Sequence, residues 1–194
     1  MPEHPGVAEL VADDPFVALF DPIGRFYTKS GIALPPVEQL EGAALPEPAR
    51  SLLVHQRDMT STLRNYHRAP IGLRVCSKSV GDGMLSRLVI LDRADTGEPV
   101  EFGAIQIFLD AFDAGVREAI LAGEEPLGGI LGRMGVPYSS APRAFFRMEA
   151  DAFVGLLLDQ VVSRPLYGRC NVLSRPDGVP LARIVEILPE MPVS

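Results

Sequence analysis

Two turn signals constrain what this chain can fold into more than any other feature. Asp95-Thr96-Gly97 and Pro176-Asp177-Gly178 each stand between runs of apolar and β-branched residues at hairpin spacing, and a chain that reverses so tightly between strands pairs them antiparallel. The spacing predicts that residues 84–92 pair with 100–110, and residues 171–174 with 181–188. Further β-type runs fall at 71–76 and 144–148, and Gly81-Asp82-Gly83 marks another turn.

Helical patterns are inserted between the strands rather than alternating with them. Asp58 is a good N-cap for a helix running to about His67. Ala114–Ala122, a piece opened by Pro126 that runs to about Met134, and residues 151–162 also read as helical, whereas Leu52-Leu53-Val54 reads as extended. Strands paired by hairpins, with helices inserted, predict an α+β fold with a single antiparallel β-sheet and helices packed on it. Residues 1–50 hold eight prolines among short apolar pieces and read as a loosely packed lead-in. Asp13, Asp14 and Pro15 argue there against a continuous helix near residues 7–19. Residues 51–194 form the expected domain.

The chain has 194 residues, 47% of them hydrophobic and 22% charged, enough to bury a core. Its formal charge is −7, from 18 Lys and Arg against 25 Asp and Glu, which argues against nucleic-acid or anionic-membrane partners. No apolar run is long enough to span a bilayer and no signal-peptide pattern opens the chain, so a cytoplasmic, soluble protein is expected. The lack of a long apolar edge is compatible with a monomer. Cys76 and Cys170 form no CxxC, and His55 and His67 lack a third ligand at useful spacing, so no metal site is expected. GxSxG, Walker and dinucleotide fingerprints are absent.

The strands carry charges where a core should be apolar. Arg87 falls in the middle of a strand whose two faces, Leu85/Arg87/Val89/Leu91 and Ser86/Leu88/Ile90, both look buried, and Glu186 stands among aliphatic residues in 181–188. Burying either charge alone costs several kcal/mol. They form a structural ion pair, or face water, or line an interior cavity in which Arg87 holds a carboxylate and Glu186 is tuned by desolvation to exchange a proton. Gly103 interrupts a strand interior, as at a bulge or the close approach of a ligand. Glu125-Pro126-Leu127-Gly128-Gly129 opens a helix whose free N–H groups could grip an anion, an ordinary helix start being the alternative.

These oddities come in a familiar order. Asp58-Met59-Thr60 within residues 53–63, Phe102-Gly103-Ala104 within 99–105, Pro126-Leu127-Gly128, Tyr167-Gly168-Arg169 and Val185-Glu186-Ile187-Leu188-Pro189 together resemble the chorismate lyase family, closest to its actinobacterial branch, over about residues 51–189. The resemblance implies a chorismate lyase-like fold with an internal ligand cavity covered by flaps, and cofactor-free cleavage of chorismate to 4-hydroxybenzoate and pyruvate. It implies Arg87 as the carboxylate-binding and catalytic cation, Glu186 as the essential acid that acts as general acid or relays the proton, and Met59, Gly103 and Leu127 as substrate-binding positions. No cofactor and no metal are implied, and the partner is a small aromatic or cyclic carboxylic acid. The chain has no tryptophan, and Leu85, Val100 and Tyr167 stand where the enterobacterial branch carries tryptophans, which loosens the inference about substrate shape. Two alternatives stand beside the lyase: the same fold acting on another carboxylic acid in natural-product biosynthesis, and a non-catalytic small-ligand sensor. The sensor predicts a DNA-binding segment, for which residues 1–50 show no helix-turn-helix spacing.

Overall fold

The computed structural model describes residues 15–190. In chain order its elements are α1 (Pro15–Ser30), β1 (Val37–Leu40), α2 (Ala49–Leu53), α3 (Met59–His67), β2 (Ile71–Gly81), β3 (Met84–Arg93), β4 (Pro99–Phe108), α4 (Ala114–Ala122), α5 (Leu127–Arg133), β5 (Ser139–Glu149), α6 (Ala152–Leu158), β6 (Pro165–Ser174) and β7 (Pro180–Leu188).

The seven strands form one sheet in the order β1-β5-β6-β7-β4-β3-β2, antiparallel at every junction. Both hairpins expected from the turn signals are present: β3 pairs with β4, and β6 with β7. A third hairpin joins β2 to β3 through Asp82 and Gly83, both at positive φ, the twist that a two-residue connection requires. The pairing of β4 with β7 then joins the hairpins at the centre of the sheet, with Gly103 opposite Glu186.

Residues 15–50 are not loosely packed. Phe16, Phe20, Ile23 and Tyr27 recur along one side of α1 and are at most 4% exposed; they enter the same apolar cluster as Leu88, Ile90, Phe102, Phe146, Val185 and Ile187 of the sheet. Burying such side chains is worth about 1.5–3 kcal/mol each. That outweighs the single backbone N–H that Pro22 removes inside α1. Pro15, which argued against a helix, opens this one, where a missing N–H costs nothing; residues 7–14 lie outside the described residues. β1 adds an edge strand on β5.

Leu52-Leu53-Val54 is not extended either: Leu52 and Leu53 close the short helix α2. The Glu47 carboxylate accepts from the Ser51 N–H at 3.2 Å and from its hydroxyl at 2.6 Å, holding the first turn, while Leu52 and Leu53 are buried beside Leu63, Leu91 and Leu188. Tertiary burial decides a segment too short for its own periodicity to speak.

α1 and α6 cover one face of the sheet. On the opposite face α4 and α5 gather one apolar cluster around Leu85, Ile105 and Ile107, and α2 and α3 gather another around Leu91, Val100 and Leu188. The seam between those two clusters falls at the middle of β3, β4 and β7.

Candidate functional site

A cavity of about 80 Å³ occupies that seam. Its floor is the sheet: Arg87, Val89 and Leu91 of β3, Glu101, Gly103 and Ile105 of β4, Ile184 and Glu186 of β7, and Asn171 and Leu173 of β6. These positions alternate along their strands, so the period of two places them on one face.

Arg87 sits directly opposite Ile105 and is 2% exposed. Its Nε and Nη1 have no hydrogen-bond partner, and it enters no ion pair among the described residues. Burial pulls its pKa below the usual arginine value. A guanidinium stripped of water with no anion beside it is costly, and it lines the cavity wall.

At the other end the charges are paired. Arg169 and Glu186 stand opposite each other across β6 and β7 and form an ion pair, both 4% exposed or less. Arg169 also donates from Nη1 to the Leu53 carbonyl at 3.0 Å and the His55 carbonyl at 3.1 Å, and from Nη2 to the Arg57 carbonyl at 3.5 Å. One guanidinium thus ties the sheet to the segment leading into α3. Of the options the sequence left open, an Arg87–Glu186 ion pair is not formed; Glu186 takes Arg169.

Glu101 lies beside this pair, 3% exposed, with its Oε2 unpartnered. Burial first, then the Glu186 carboxylate, hold its pKa well above the usual 4.5, against the opposing pull of Arg169. Gly103, between Glu101 and Ile105 on the same face, keeps the floor open. A Cβ there would come within 3.0 Å of Val89 Cγ2 and 3.3 Å of Glu101 Oε1.

Two segments roof the cavity. Asp58 caps α3, its Oδ1 accepting from the Ser61 N–H at 2.8 Å, which sets Asp58, Met59 and Thr60 over the floor; Pro126, Leu127 and Gly128 come from the start of α5, with Tyr138 alongside. The segments meet where Gly128 approaches the Asp58 side chain; a Cβ on Gly128 would be 3.5 Å from both Asp58 Cβ and the Tyr138 hydroxyl.

Met59, Arg87, Gly103, Leu127 and Glu186, singled out from the sequence, all line this one cavity. Glu101 and Arg169 were missed. Glu101 shares the period-two face of Gly103, a signal available in the sequence. Arg169 was hidden because β6 begins at Pro165, six residues before the strand read from the sequence.

No protein-family model and no curated protein matches the chain. Among solved structures, PhnF from Mycobacterium smegmatis matches at 14% identity and a TM-score of 0.57, over 70% of this chain and 65% of that one. This chain therefore spans slightly less than two thirds of PhnF. The effector domain of the same protein matches at 15% identity and a TM-score of 0.56, over 68% of this chain and 88% of the domain.

The chain thus shares the fold of PhnF and its effector domain, a single antiparallel sheet with helices packed on it, which is also the chorismate lyase-like fold. The assignment to the chorismate lyase family is overturned: the structures that the chain matches include PhnF and its effector domain. With it go the enzyme class and the cleavage of chorismate to 4-hydroxybenzoate and pyruvate in a biosynthetic route. The five motifs carried the cavity of this fold rather than its chemistry. Glu186, expected as the general acid, has its carboxylate in an ion pair with Arg169. No helix among the described residues is long and apolar enough to cross a membrane.

Proposed function

We propose that the chain is a non-catalytic ligand-binding domain, a sensor that captures a small organic acid in the cavity between its two roof segments. The carrying observation is Arg87, a buried cation on the cavity wall whose Nε and Nη1 lack partners. A ligand carboxylate supplies the missing acceptors in a charge-assisted, two-point bond. Met59 and Leu127 close over the ligand and Gly103 leaves room for it on the floor. The likeness to the effector domain of PhnF supports a sensor over an enzyme. A cavity of about 80 Å³ is smaller than the ~150 Å³ site known to admit benzene. A compact acid therefore fits with the roof as it stands, and a ring requires the Asp58 and Leu127 segments to part.

Thermal unfolding with acetate, butyrate and benzoate, against the corresponding amides, tests this reading. Ligand at about 100 times its Kd stabilises by roughly 2.7 kcal/mol, a rise in Tm of about 5–10 °C for a chain of this size. The carboxylates raise Tm, the amides do not, Arg87→Met abolishes the shift, and the ligand is recovered chemically unchanged. A shift that survives Arg87→Met, no shift with any acid, or conversion of the ligand overturns the reading.

A further inference from the structure

The cavity holds two orphan groups, not one. Arg87 lacks an anion at one end, and Glu101 lacks any partner for its Oε2 at the other. Arg87 pairs in register with Ile105, four residues along β4 from Glu101, so their backbones lie about 13 Å apart along the strand direction at roughly 3.3 Å per residue. Both side chains line the same space.

The charges around Glu101 determine what suits that end. Glu186 of β7 and Arg169 of β6 face it as an ion pair. His55, on the segment before α3, lies behind Arg169, with 3.3 Å from its Nδ1 to Arg169 Nη1; Asp58 is in the roof and Arg87 at the far end of β3. Two carboxyl groups therefore share one adjacent guanidinium. Burial first, and then the Glu186 carboxylate, hold the Glu101 pKa well above the usual carboxylate value, against the pull of Arg169. An ammonium placed there supplies N–H donors to the unpartnered Glu101 Oε2 and a charge opposite to that of the two carboxyl groups.

We propose that the ligand is a zwitterionic ω-aminocarboxylate, its carboxylate on Arg87 and its ammonium on Glu101. This rests on the reading of Arg87 as the carboxylate anchor and adds a selectivity residue at the opposite end. Proton balance follows: the ligand arrives as the ammonium, Glu101 gives up its proton to solvent, and the N–H donors bond to the carboxylate so formed. Binding releases up to one proton and tightens as pH rises, until the ligand amine itself titrates. A ligand ending in hydroxyl or methyl leaves the Glu101 proton in place and releases none.

Calorimetric titration of the full chain with γ-aminobutyrate and δ-aminovalerate, against butyrate, valerate and γ-hydroxybutyrate, in buffers of different ionisation enthalpy, tests the proposal. The amino acids bind at least tenfold tighter than their unaminated counterparts and release protons on binding. Glu101→Gln, which keeps shape and hydrogen bonding but cannot ionise, erases both the preference and the release while butyrate still binds. Equal affinity for the hydroxy and amino ligands, binding without proton release in the wild-type chain, or a preference that survives Glu101→Gln overturns the inference and leaves the carboxylate pocket standing. Failure of all five probes to bind in an Arg87-dependent way overturns both. The proton count needs only the wild-type chain, so the test holds if a variant fails to fold.

Discussion

Arg169 and Glu186 face each other across the centre of the sheet, and the same guanidinium that neutralises Glu186 holds the Leu53, His55 and Arg57 carbonyls of the segment above it. Replacing one member strands the other. Arg169→Met leaves a buried carboxylate uncompensated and should cost about 3–5 kcal/mol, whereas the double change Arg169→Met with Glu186→Leu recovers much of it, because an apolar pair of similar volume needs no desolvation. Urea unfolding of the two variants at pH 7 checks the ordering.

Phe20 anchors the N-terminal helix. Its ring meets Phe146 edge to face, with centroids 5.0 Å apart, and is 2% exposed. Phe20→Ala should destabilise the whole domain by about 3–5 kcal/mol. A loose lead-in would leave Tm unchanged, so thermal unfolding separates the two cases.

Gly103 is the place where a methyl group closes the cavity. Gly103→Ala puts a Cβ against Val89 and Glu101, at a stability cost of about 1–3 kcal/mol for local overpacking. Its effect on binding should be larger, a loss of at least tenfold in affinity for the acids that raise Tm. Calorimetry on the folded variant reads this directly.

The buried acid makes stability depend on pH in a set direction. Glu101 holds its proton more tightly folded than unfolded, so its contribution is fully present below about pH 4.5, the usual carboxylate value, and is lost as pH rises through its folded pKa. Glu101→Gln carries no such loss. The variant should be more stable than wild type at pH 7, and the gap should close as pH falls to 4.5. His55 and His67 act oppositely: burial lowers both below the usual 6.5, so their contributions fade as pH drops past that value. Comparing wild type with Glu101→Gln at each pH cancels the histidine effect; a constant gap across pH 4–8 would count against a protonated Glu101.

Much of the sheet was legible because its turns are local. Asp95-Thr96-Gly97 and Pro176-Asp177-Gly178 identified the two hairpins that became β3–β4 and β6–β7, and Asp58 marked the start of α3 at Met59. The cavity floor was legible in part: Arg87, Gly103 and Glu186 broke the apolar pattern of their strands, and a charge or a glycine in such a pattern needs a reason. Glu101 was readable by the same rule, two residues before Gly103 on the same face of the strand. The lyase reading failed for a different reason. The motifs describe how this fold shapes a cavity, and a fold shared by regulators and enzymes does not specify chemistry.

The sequence by itself determined the antiparallel α+β architecture, the two central hairpins and the presence of buried charges of both signs. These follow from turn geometry and from a period of two, which act over a few residues. Only the tertiary structure decided that α1 belongs to the core, that Glu186 pairs with Arg169 rather than Arg87, and that Arg87 and Glu101 are left facing one cavity. Those outcomes depend on which strands become neighbours, since β4 meets β7 and not β5, and a charge pairs with whatever the sheet order brings opposite it.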